Sequence, residues 1–352
     1  MKKHNFSAGP AILPASVIQE AAAGVANLNG SGLSVLEISH RSADFVKILD
    51  EAESLVRELL GVGDDYAVLF LTGGASSQFY LSAMNLLAED QTAGYIDTGA
   101  WSAKAIKEAR NFGNVEILAS SKDSNYTYIP QDVNIPNGLR YVHLTSNNTI
   151  FGTQFREFPD TDAPLISDMS SDIFSRRIPL EKFGLIYAGA QKNMGPAGVT
   201  LVIVRKDLLG QVNRTLPTML DYRTHIAKKS SFNTPPVFPI YVSMLTLRWV
   251  KAQGGLEAME KHNAEKAQLL YDEIDRNPKF RGTVTDPASR SLMNVTFVPT
   301  DEADLEPFLA AAAAAGCEGV KGHRSVGGFR ASIYNSMPKE SVQALVDVMK
   351  AF

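Results

Sequence analysis

Hydrophobic residues near the start of the chain recur with the spacing of an amphipathic helix. A first helix is predicted over 16–28, with Ser16 as its N-cap. The first fourteen residues contain the turn signal Gly9-Pro10, so we expect them to be irregular. Over 43–60 the apolar residues stand three or four positions apart, which predicts a helix with one buried face: Phe45, Ile48, Leu49, Ala52, Leu55, Val56 and Leu59.

Continuous apolar runs of strand length follow, separated by helical segments. Such strands are typical of a mostly parallel sheet that helices cover on both faces, because neither face of the strand meets water. Only a short turn region separates the last two runs, which predicts one antiparallel pair. The predicted strands are 67–72, 92–97, 115–120, 140–146, 164–170, 185–190 and 199–204.

The chain has a different pattern after residue 229. The irregular segment SSFNTPPVFP precedes a long helical segment over 241–276, which is interrupted at Gly254-Gly255. Strand-like and helical segments then alternate to the end of the chain. This order indicates a smaller α+β domain after a large α/β domain.

Composition limits the class of protein. A chain of 352 residues is longer than one simple core needs, and its formal net charge of −4 argues against a general nucleic-acid binder. The single cysteine, Cys317, excludes a disulfide within the chain. No apolar run reaches the roughly 20 residues of a membrane span, and the N-terminus lacks a signal-peptide core. We therefore expect a cytoplasmic enzyme or binding protein, with no membrane contact.

One lysine has unusual neighbours. Lys192 lies in YAGAQKNMGPAG, among small uncharged residues between a predicted strand and a glycine-proline turn. Most loop lysines are solvated, but a partly buried amine with a lowered pKa is suited to form a Schiff base. Asp168 ends the preceding predicted strand, where a carboxylate is costly unless it has a partner.

Other candidate residues follow the carboxyl ends of predicted strands, where ligands bind in sheets of this kind. Ala75 and Ser76 lie in a Gly-rich turn that can hold a phosphate, although such turns are often only structural. Trp101 could stack on a flat cofactor or belong to the core, and Thr149 could bind a ligand or shape its turn. A phosphate-type turn and an aromatic residue, followed by a strand-end carboxylate and by a lysine 24 residues after it, together favour pyridoxal phosphate as the cofactor.

Longer motifs carry a resemblance that covers the whole chain. They resemble the phosphoserine aminotransferase family of fold-type I pyridoxal-phosphate enzymes, and the motifs around Lys192 and Arg330 are highly specific. Some members have a serine where this chain has Ala8. The motifs are, in order, NFSAGPAILP, SHRS, GGASSQF, TGAWSAKA, NNTIFG, SDMSSDIFSR, YAGAQKNMGPAG, FNTPP and GHRSVGGFRASIYN.

The resemblance implies a fold, a domain division and a reaction. We expect a large domain over 16–258 with a mostly parallel seven-stranded sheet, and a small α+β domain formed by 1–15 and 259–352. The implied reaction is the reversible transfer of the amino group of L-glutamate to 3-phosphohydroxypyruvate, which gives O-phospho-L-serine and 2-oxoglutarate in L-serine biosynthesis. The resemblance leaves open whether 4-phosphohydroxy-L-threonine, of pyridoxine biosynthesis, is also a substrate.

The resemblance also assigns site residues. Lys192 would be the Schiff-base lysine, and Asp168 would pair with the pyridine nitrogen of the cofactor. The other implied cofactor contacts are Ala75, Ser76, Trp101, Thr149 and Gln191, together with Asn233 and Thr234 of FNTPP across a homodimer interface. The implied substrate-binding residues are His40, Arg41, His323, Arg324 and Arg330.

Two alternatives stay open from the sequence. The first is another fold-type I enzyme, such as an alanine–glyoxylate-type aminotransferase or a cysteine desulfurase, and a desulfurase would need Cys317 as a reactive loop cysteine. The second is a non-catalytic cofactor-binding protein on the same fold. Such a protein would have no need to keep Lys192, Asp168 and the arginines together.

Overall fold

A computed structural model describes residues 2–352. The helices are α1 (Ala15–Ala26), α2 (Ala43–Leu60), α3 (Gly74–Leu86), α4 (Ala100–Ala109), α5 (Tyr222–Ala227), α6 (Val237–Ala252), α7 (Gly255–Arg276), α8 (Leu305–Ala314) and α9 (Lys339–Ala351). The strands are β1 (His4–Asn5), β2 (Tyr66–Leu71), β3 (Thr92–Asp97), β4 (Asn114–Ser120), β5 (Val142–Thr145), β6 (Leu165–Asp168), β7 (Phe183–Gly189), β8 (Thr200–Arg205), β9 (Phe280–Gly282), β10 (Asn294–Pro299), β11 (Cys317–Glu318) and β12 (Phe329–Ser332).

The large sheet has seven strands in the order β2-β8-β7-β6-β5-β3-β4. The five strands from β7 to β4 run parallel, and β8 runs antiparallel to both β7 and β2. The predicted α/β fold with a mostly parallel seven-stranded sheet is confirmed. The predicted antiparallel pair of the last two strands, β7 and β8, is also confirmed, and β2 adds a second antiparallel pair on the outer side of β8.

Alternate residues of the strands supply two apolar clusters, one on each face of the sheet. Val68 and Phe70 of β2 belong to the cluster that includes α2 and α6. Leu69 and Leu71 of the same strand belong to the cluster that includes residues of α3 and α4. All six residues of β2 are buried, which explains why its sequence reads as a continuous apolar run.

The helix ends follow local chemistry. The Phe45 N–H donates to Ser42 Oγ at 3.3 Å at the start of α2, and Gly61, with a left-handed φ of 70°, follows its end. The predicted helix over 43–60 is therefore confirmed. The prediction of Ser16 as the N-cap of α1 is wrong: the helix begins at Ala15, and the extended Pro14 takes the N-cap position.

A three-stranded antiparallel sheet, in the order β12-β10-β9, lies in the C-terminal part of the chain. Its apolar cluster takes residues from α7, α8 and α9, and also Phe6 from the N-terminal segment. β1 pairs in parallel with β11, so the first residues are less irregular than expected. A strand of two residues has no periodicity to detect. No helix within residues 2–352 is long and apolar enough to cross a membrane.

Candidate active site

Lys192 lies in a tight turn that leaves the carboxyl end of β7. The Gly195 N–H donates to the Ala190 carbonyl at 2.8 Å and closes the turn around the lysine. Only glycine fits at position 195, because a Cβ there would lie 2.3 Å from Ser243 Oγ on α6. The lysine side chain is half-buried, and its Nζ donates to Thr149 Oγ1 at 2.7 Å. The backbone therefore aims this amine back over the end of the sheet.

Asp168 is the last residue of β6 and stands opposite Tyr187 of β7. Burial raises the pKa of its carboxyl group, while Lys192 and Ser170 act in the opposite direction. Burial likewise lowers the pKa of the Lys192 amine, which Asp168 raises and Arg330 lowers. The amine and the carboxylate thus partly offset the cost of removing each other from water.

Thr149 links the lysine to an arginine of the small sheet. Its Oγ1 accepts from Lys192, and its carbonyl accepts from Arg330 Nη1 at 3.2 Å. Arg330 lies on β12, opposite Thr296 of β10, and burial lowers its pKa. Within residues 2–352 this guanidinium forms no ion pair, and its buried Nε has no partner. An unpaired cation therefore lies beside the lysine.

Trp101, the second residue of α4, also lies at the lysine. The Lys192 Nζ is 5.3 Å from the centroid of its ring. Ser102 fixes the start of the helix, because its Oγ accepts from two backbone N–H groups at 2.9 and 3.0 Å and donates to Asp97 Oδ1 at 2.9 Å. The Asp97 carboxylate, at the end of β3, thereby positions the indole.

Ala75 and Ser76 occupy the first turn of α3. The preceding Gly73 has a φ of 97°, and a Cβ there would lie 2.1 Å from Ser77 Oγ, so glycine is required. The first N–H groups of a helix have no partner within it and can bind an anion. Ser77 Oγ donates to the Gly73 carbonyl at 2.9 Å, whereas Ser76 is exposed and its hydroxyl has no partner in the described residues.

Gln191 contacts the N-terminal segment beside the lysine. Its carbonyl accepts from the Ala11 N–H at 2.9 Å. A Cβ on Gly9 would lie 3.4 Å from Lys192 Cγ, so this segment passes close to the lysine stem. The opening motif and the lysine motif, 180 residues apart in sequence, are therefore neighbours.

His323 and Arg324 lie on the loop that leads to β12. His323 Nδ1 is 2.7 Å from Ser325 Oγ, and Arg324 is exposed. The pKa of His323 is lowered by burial and then by the positive charges of Arg330, Arg324 and Lys104. Lys104 was not among the predicted site residues; its Nζ lies 4.4 Å from the Trp101 ring centroid. These groups form a positively charged region.

Four further predicted site residues, like Ala75 and Ser76, have no direct hydrogen bond or ion pair to Lys192 or Asp168 within the described chain. The four are Asn233, Thr234, His40 and Arg41. Asn233 lines a cavity of about 170 Å³ with Gly73 and Ser77, at the start of α3. The buried Nε2 of His40 has no partner in the described residues, and Arg41 is exposed.

Two buried residues of this region were missed from the sequence. The Ser170 hydroxyl donates to Asp168 Oδ1 at 2.6 Å. Asp172 accepts from Ser146 Oγ and from Gln154 Nε2, and burial raises its pKa. A serine two residues after a strand-end carboxylate is a common turn pattern and was a signal available for Ser170. Nothing local marks Asp172, whose partners come from distant loops.

The residues at this site fit pyridoxal phosphate. Asp168 Oδ2 has no hydrogen-bond partner within residues 2–352, and neither has the buried Nε1 of Trp101. A free carboxylate oxygen, a ring face, an amine and helix-start N–H donors are the groups that this cofactor needs. No cluster of three or more metal-ligating side chains occurs in those residues.

The chain is similar to known proteins over its whole length. The sequence profile of the aminotransferase class-V family matches residues 3–345. A phosphoserine aminotransferase of Flavobacterium johnsoniae is 59% identical over 352 residues, which cover 100% of this chain and 99% of that protein. A phosphoserine aminotransferase of Phocaeicola vulgatus is 57% identical over 354 residues, with the same coverage of 100% and 99%.

Solved structures show the same similarity. Phosphoserine aminotransferase from Bacillus circulans subsp. alkalophilus superposes with a TM-score of 0.96 at 48% identity. The match covers 99% of this chain and 98% of that protein's chain. The pyridoxal-phosphate-bound phosphoserine aminotransferase from Trichomonas vaginalis has a TM-score of 0.94 at 39% identity and covers 99% and 100%. The fold is thus shared along the full length of both chains.

Proposed function

Because the chain belongs to the aminotransferase class-V family and is a pyridoxal-phosphate-dependent aminotransferase, we propose that it transfers the amino group of L-glutamate to 3-phosphohydroxypyruvate. The products would be O-phospho-L-serine and 2-oxoglutarate, in L-serine biosynthesis. The observation that carries the proposal is the unpaired guanidinium of Arg330 beside Lys192, linked to it through Thr149. Arginine binds carboxylate and phosphate groups through two parallel hydrogen bonds.

The charges around Arg330 support an acceptor with two anionic groups. Arg324 lies on the loop before β12, and Lys104 of α4 is the third cation of this region after Arg330 and Arg324. The carboxylates that act on Lys192, Asp168 and Asp172, are both buried. We expect one cation to bind the α-carboxylate, which every substrate has, and the others to bind either the phosphate or the second carboxylate of glutamate.

The proposed mechanism assigns a separate task to each residue at the sheet edge. Pyridoxal phosphate, when bound, supplies an aldehyde and an electron-accepting ring. Lys192 would bind the aldehyde and later carry the substrate proton on its free Nζ, a role that a lowered amine pKa favours. Asp168 would hold a proton at the pyridine nitrogen. Thr149 Oγ1 orients Nζ, and Trp101 excludes water from one face of the site.

The cofactor phosphate would bind at the start of α3, where Ala75 and Ser76 offer N–H groups and a free hydroxyl. We also propose a homodimer in which Asn233 and Thr234 complete this phosphate site in the partner subunit. The exposed Phe232, which precedes them, supports a contact with another surface. A cytoplasmic location accords with a single, buried cysteine.

The alternative of a cysteine desulfurase is disfavoured by the setting of Cys317. This residue lies in β11 and is buried, and burial raises the pKa of its thiol to about 11. A cysteine nucleophile requires an accessible group with a lowered pKa. The alternatives that remain are aminotransferases that use a different amino-group acceptor.

An absorbance spectrum of the purified enzyme tests the proposal. L-glutamate should convert the lysine-bound form of the cofactor to the amine form, and 3-phosphohydroxypyruvate should restore the original band. Glyoxylate and pyruvate serve as acceptors without phosphate, and 4-phosphohydroxy-L-threonine tests the second donor. Restoration by glyoxylate or pyruvate but not by the phosphorylated acceptor would overturn the assignment of the substrate while leaving the enzyme class intact.

A further inference from the structure

Two hydrogen bonds from one residue hold the carboxylate of Asp168. The backbone N–H of Ser170 donates to Asp168 Oδ1 at 2.9 Å, and the Ser170 hydroxyl donates to the same oxygen at 2.6 Å. Both side chains are almost completely buried. Both bonds reach a single oxygen, so the carboxylate cannot rotate without breaking them. Oδ2 is then the oxygen left to face the site.

The hydroxyl of Ser170 also contacts the strand that leads to the lysine. The Gly189 N–H, at the end of β7, donates to Ser170 Oγ at 3.0 Å. This bond occupies the hydroxyl oxygen as an acceptor and leaves its proton for Asp168. One hydroxyl thus connects the carboxylate of β6 to the strand end three residues before Lys192.

The charge of Asp168 depends on few groups. Lys192 is the neighbouring cation that favours the anion, while burial favours the neutral acid. Tyr187, its neighbour on β7, is a neutral phenol whose hydroxyl is 2.9 Å from His143 Nε2. When Lys192 is engaged as an amine without charge, Ser170 is the remaining group that stabilises the anion.

We propose that Ser170 is a positioning residue for the reaction, which keeps Asp168 ionised and directs its Oδ2 at the pyridine nitrogen of the cofactor. The inference rests on the proposed role of Asp168. Hydrogen bonds from a hydroxyl and an N–H to a carboxylate stabilise its charged form, and such bonds are stronger than neutral ones. The protonated pyridine nitrogen is what allows the ring to accept electrons.

The neighbouring serine provides a matched control. Ser171 is equally buried, and its Oγ donates to the Asn147 carbonyl at 2.9 Å and accepts from Asn147 Nδ2 at 2.8 Å. It makes no hydrogen bond to Asp168. Ser170→Ala and Ser171→Ala therefore remove the same atom from the same turn, but only the first removes a bond to the carboxylate.

The test compares these variants with Asp168→Asn by two measurements. The first is the affinity of the apoenzyme for pyridoxal phosphate, followed by absorbance. The second is the rate of the half-reaction with L-glutamate, measured with pyridoxal phosphate and with its ring-N-methylated analogue, which has a fixed positive charge. We expect Ser170→Ala to weaken cofactor binding and slow the half-reaction by roughly ten- to a hundredfold, and Ser171→Ala by less than about threefold.

The analogue separates a charge role from a structural one. When both enzymes carry the methylated cofactor, the rate of Ser170→Ala should come within about threefold of the rate of the unmodified enzyme, because the positive charge of the ring no longer depends on Asp168. An equal deficit with both cofactors, or equal losses for the two serine variants, would overturn the inference. Full affinity and rate in Asp168→Asn would instead overturn the proposed role of Asp168. If Ser170→Ala does not fold, Ser170→Cys and Ser170→Thr replace it, and only the threonine should keep the original rate.

Discussion

The turn after β7 and the contact between α7 and the chain after β12 each remove a lysine amine from water, but with different partners. In the first region, Lys192 Nζ donates to the Thr149 hydroxyl at 2.7 Å and lies near the Asp168 carboxylate. In the second, Lys266 is completely buried, and its Nζ donates to the backbone carbonyls of residues 333 and 334 at 2.9 and 2.6 Å. No described carboxylate forms an ion pair with Lys266.

The comparison teaches that a lowered amine pKa is not sufficient to identify a reactive lysine. Burial lowers the pKa of both amines, and for Lys266 it does so to well below the ordinary value. Only Lys192 has a carboxylate that opposes the shift and a surface open to a ligand. Lys266 instead donates to two buried carbonyls: that of Ile333 has no other donor in the described residues, and that of Tyr334 also accepts from the Met337 N–H at 2.9 Å.

The largest expected difference between the two regions is in turnover. Lys192→Ala should reduce transamination by at least about a thousandfold, since in the proposed mechanism the amine acts both as nucleophile and as proton carrier. Lys266→Met should keep turnover within about threefold of the unmodified enzyme at the same cofactor occupancy. Steady-state rates and the spectrum of each variant check this, and retained turnover in Lys192→Ala would contradict the assignment.

The arginines test how far the reactive region extends. Arg330→Gln and Arg41→Gln should each raise KM for the phosphorylated and dicarboxylate substrates by about 1.5–3 kcal/mol, the range for hydrogen bonds to charged groups. Arg177→Gln is the control, since Arg177 pairs with Glu257 at an exposed site. An unchanged KM for either variant would remove that arginine from the site. This outcome is most informative for Arg41, whose guanidinium forms no hydrogen bond or ion pair within the described chain.

The stability of the second region is tested by Lys266→Met. Loss of the donor leaves the buried Ile333 carbonyl unpaired and removes one of the two donors to the Tyr334 carbonyl, so we expect the free energy of unfolding to fall by about 1–3 kcal/mol at pH 9. Denaturant unfolding of the cofactor-free protein measures the change. A variant at least as stable as the unmodified protein would mean that burial of the amine costs more than its hydrogen bonds contribute.

The same variant has a pH signature. The pKa of Lys266 is lower in the folded protein, so the unfolded chain binds more protons and the stability of the protein rises with pH until the unfolded lysine titrates near 10.4. Relative to Lys266→Met, stability should rise by at most about 1.4 kcal/mol per pH unit within this window. Scans above pH 7 keep His262 neutral, because its pKa is also lowered by burial. A pH-independent difference would contradict a neutral buried amine.

Much of the reactive region was predictable because its residues stand at the ends of apolar runs. Asp168 and Lys192 follow the strands β6 and β7, and parallel strands bring their carboxyl ends to one edge. Ser170 was passed over although it lies two residues from Asp168, because many serines end strands in this way. Lys266 could not have been singled out, since its partners are backbone carbonyls about 70 residues further along the chain.

The sequence by itself determined the α/β class, the main helices and strands, and a set of candidate residues whose chemistry suits pyridoxal phosphate, because these depend on local periodicity and on side-chain type. Tertiary structure alone decided that β2 pairs antiparallel with β8, that the guanidinium of Arg330 lies beside Thr149, and that Ser170 holds Asp168. It also decided which buried lysine has a carboxylate nearby. These are contacts between segments far apart in sequence, and only the packing of the folded chain specifies them.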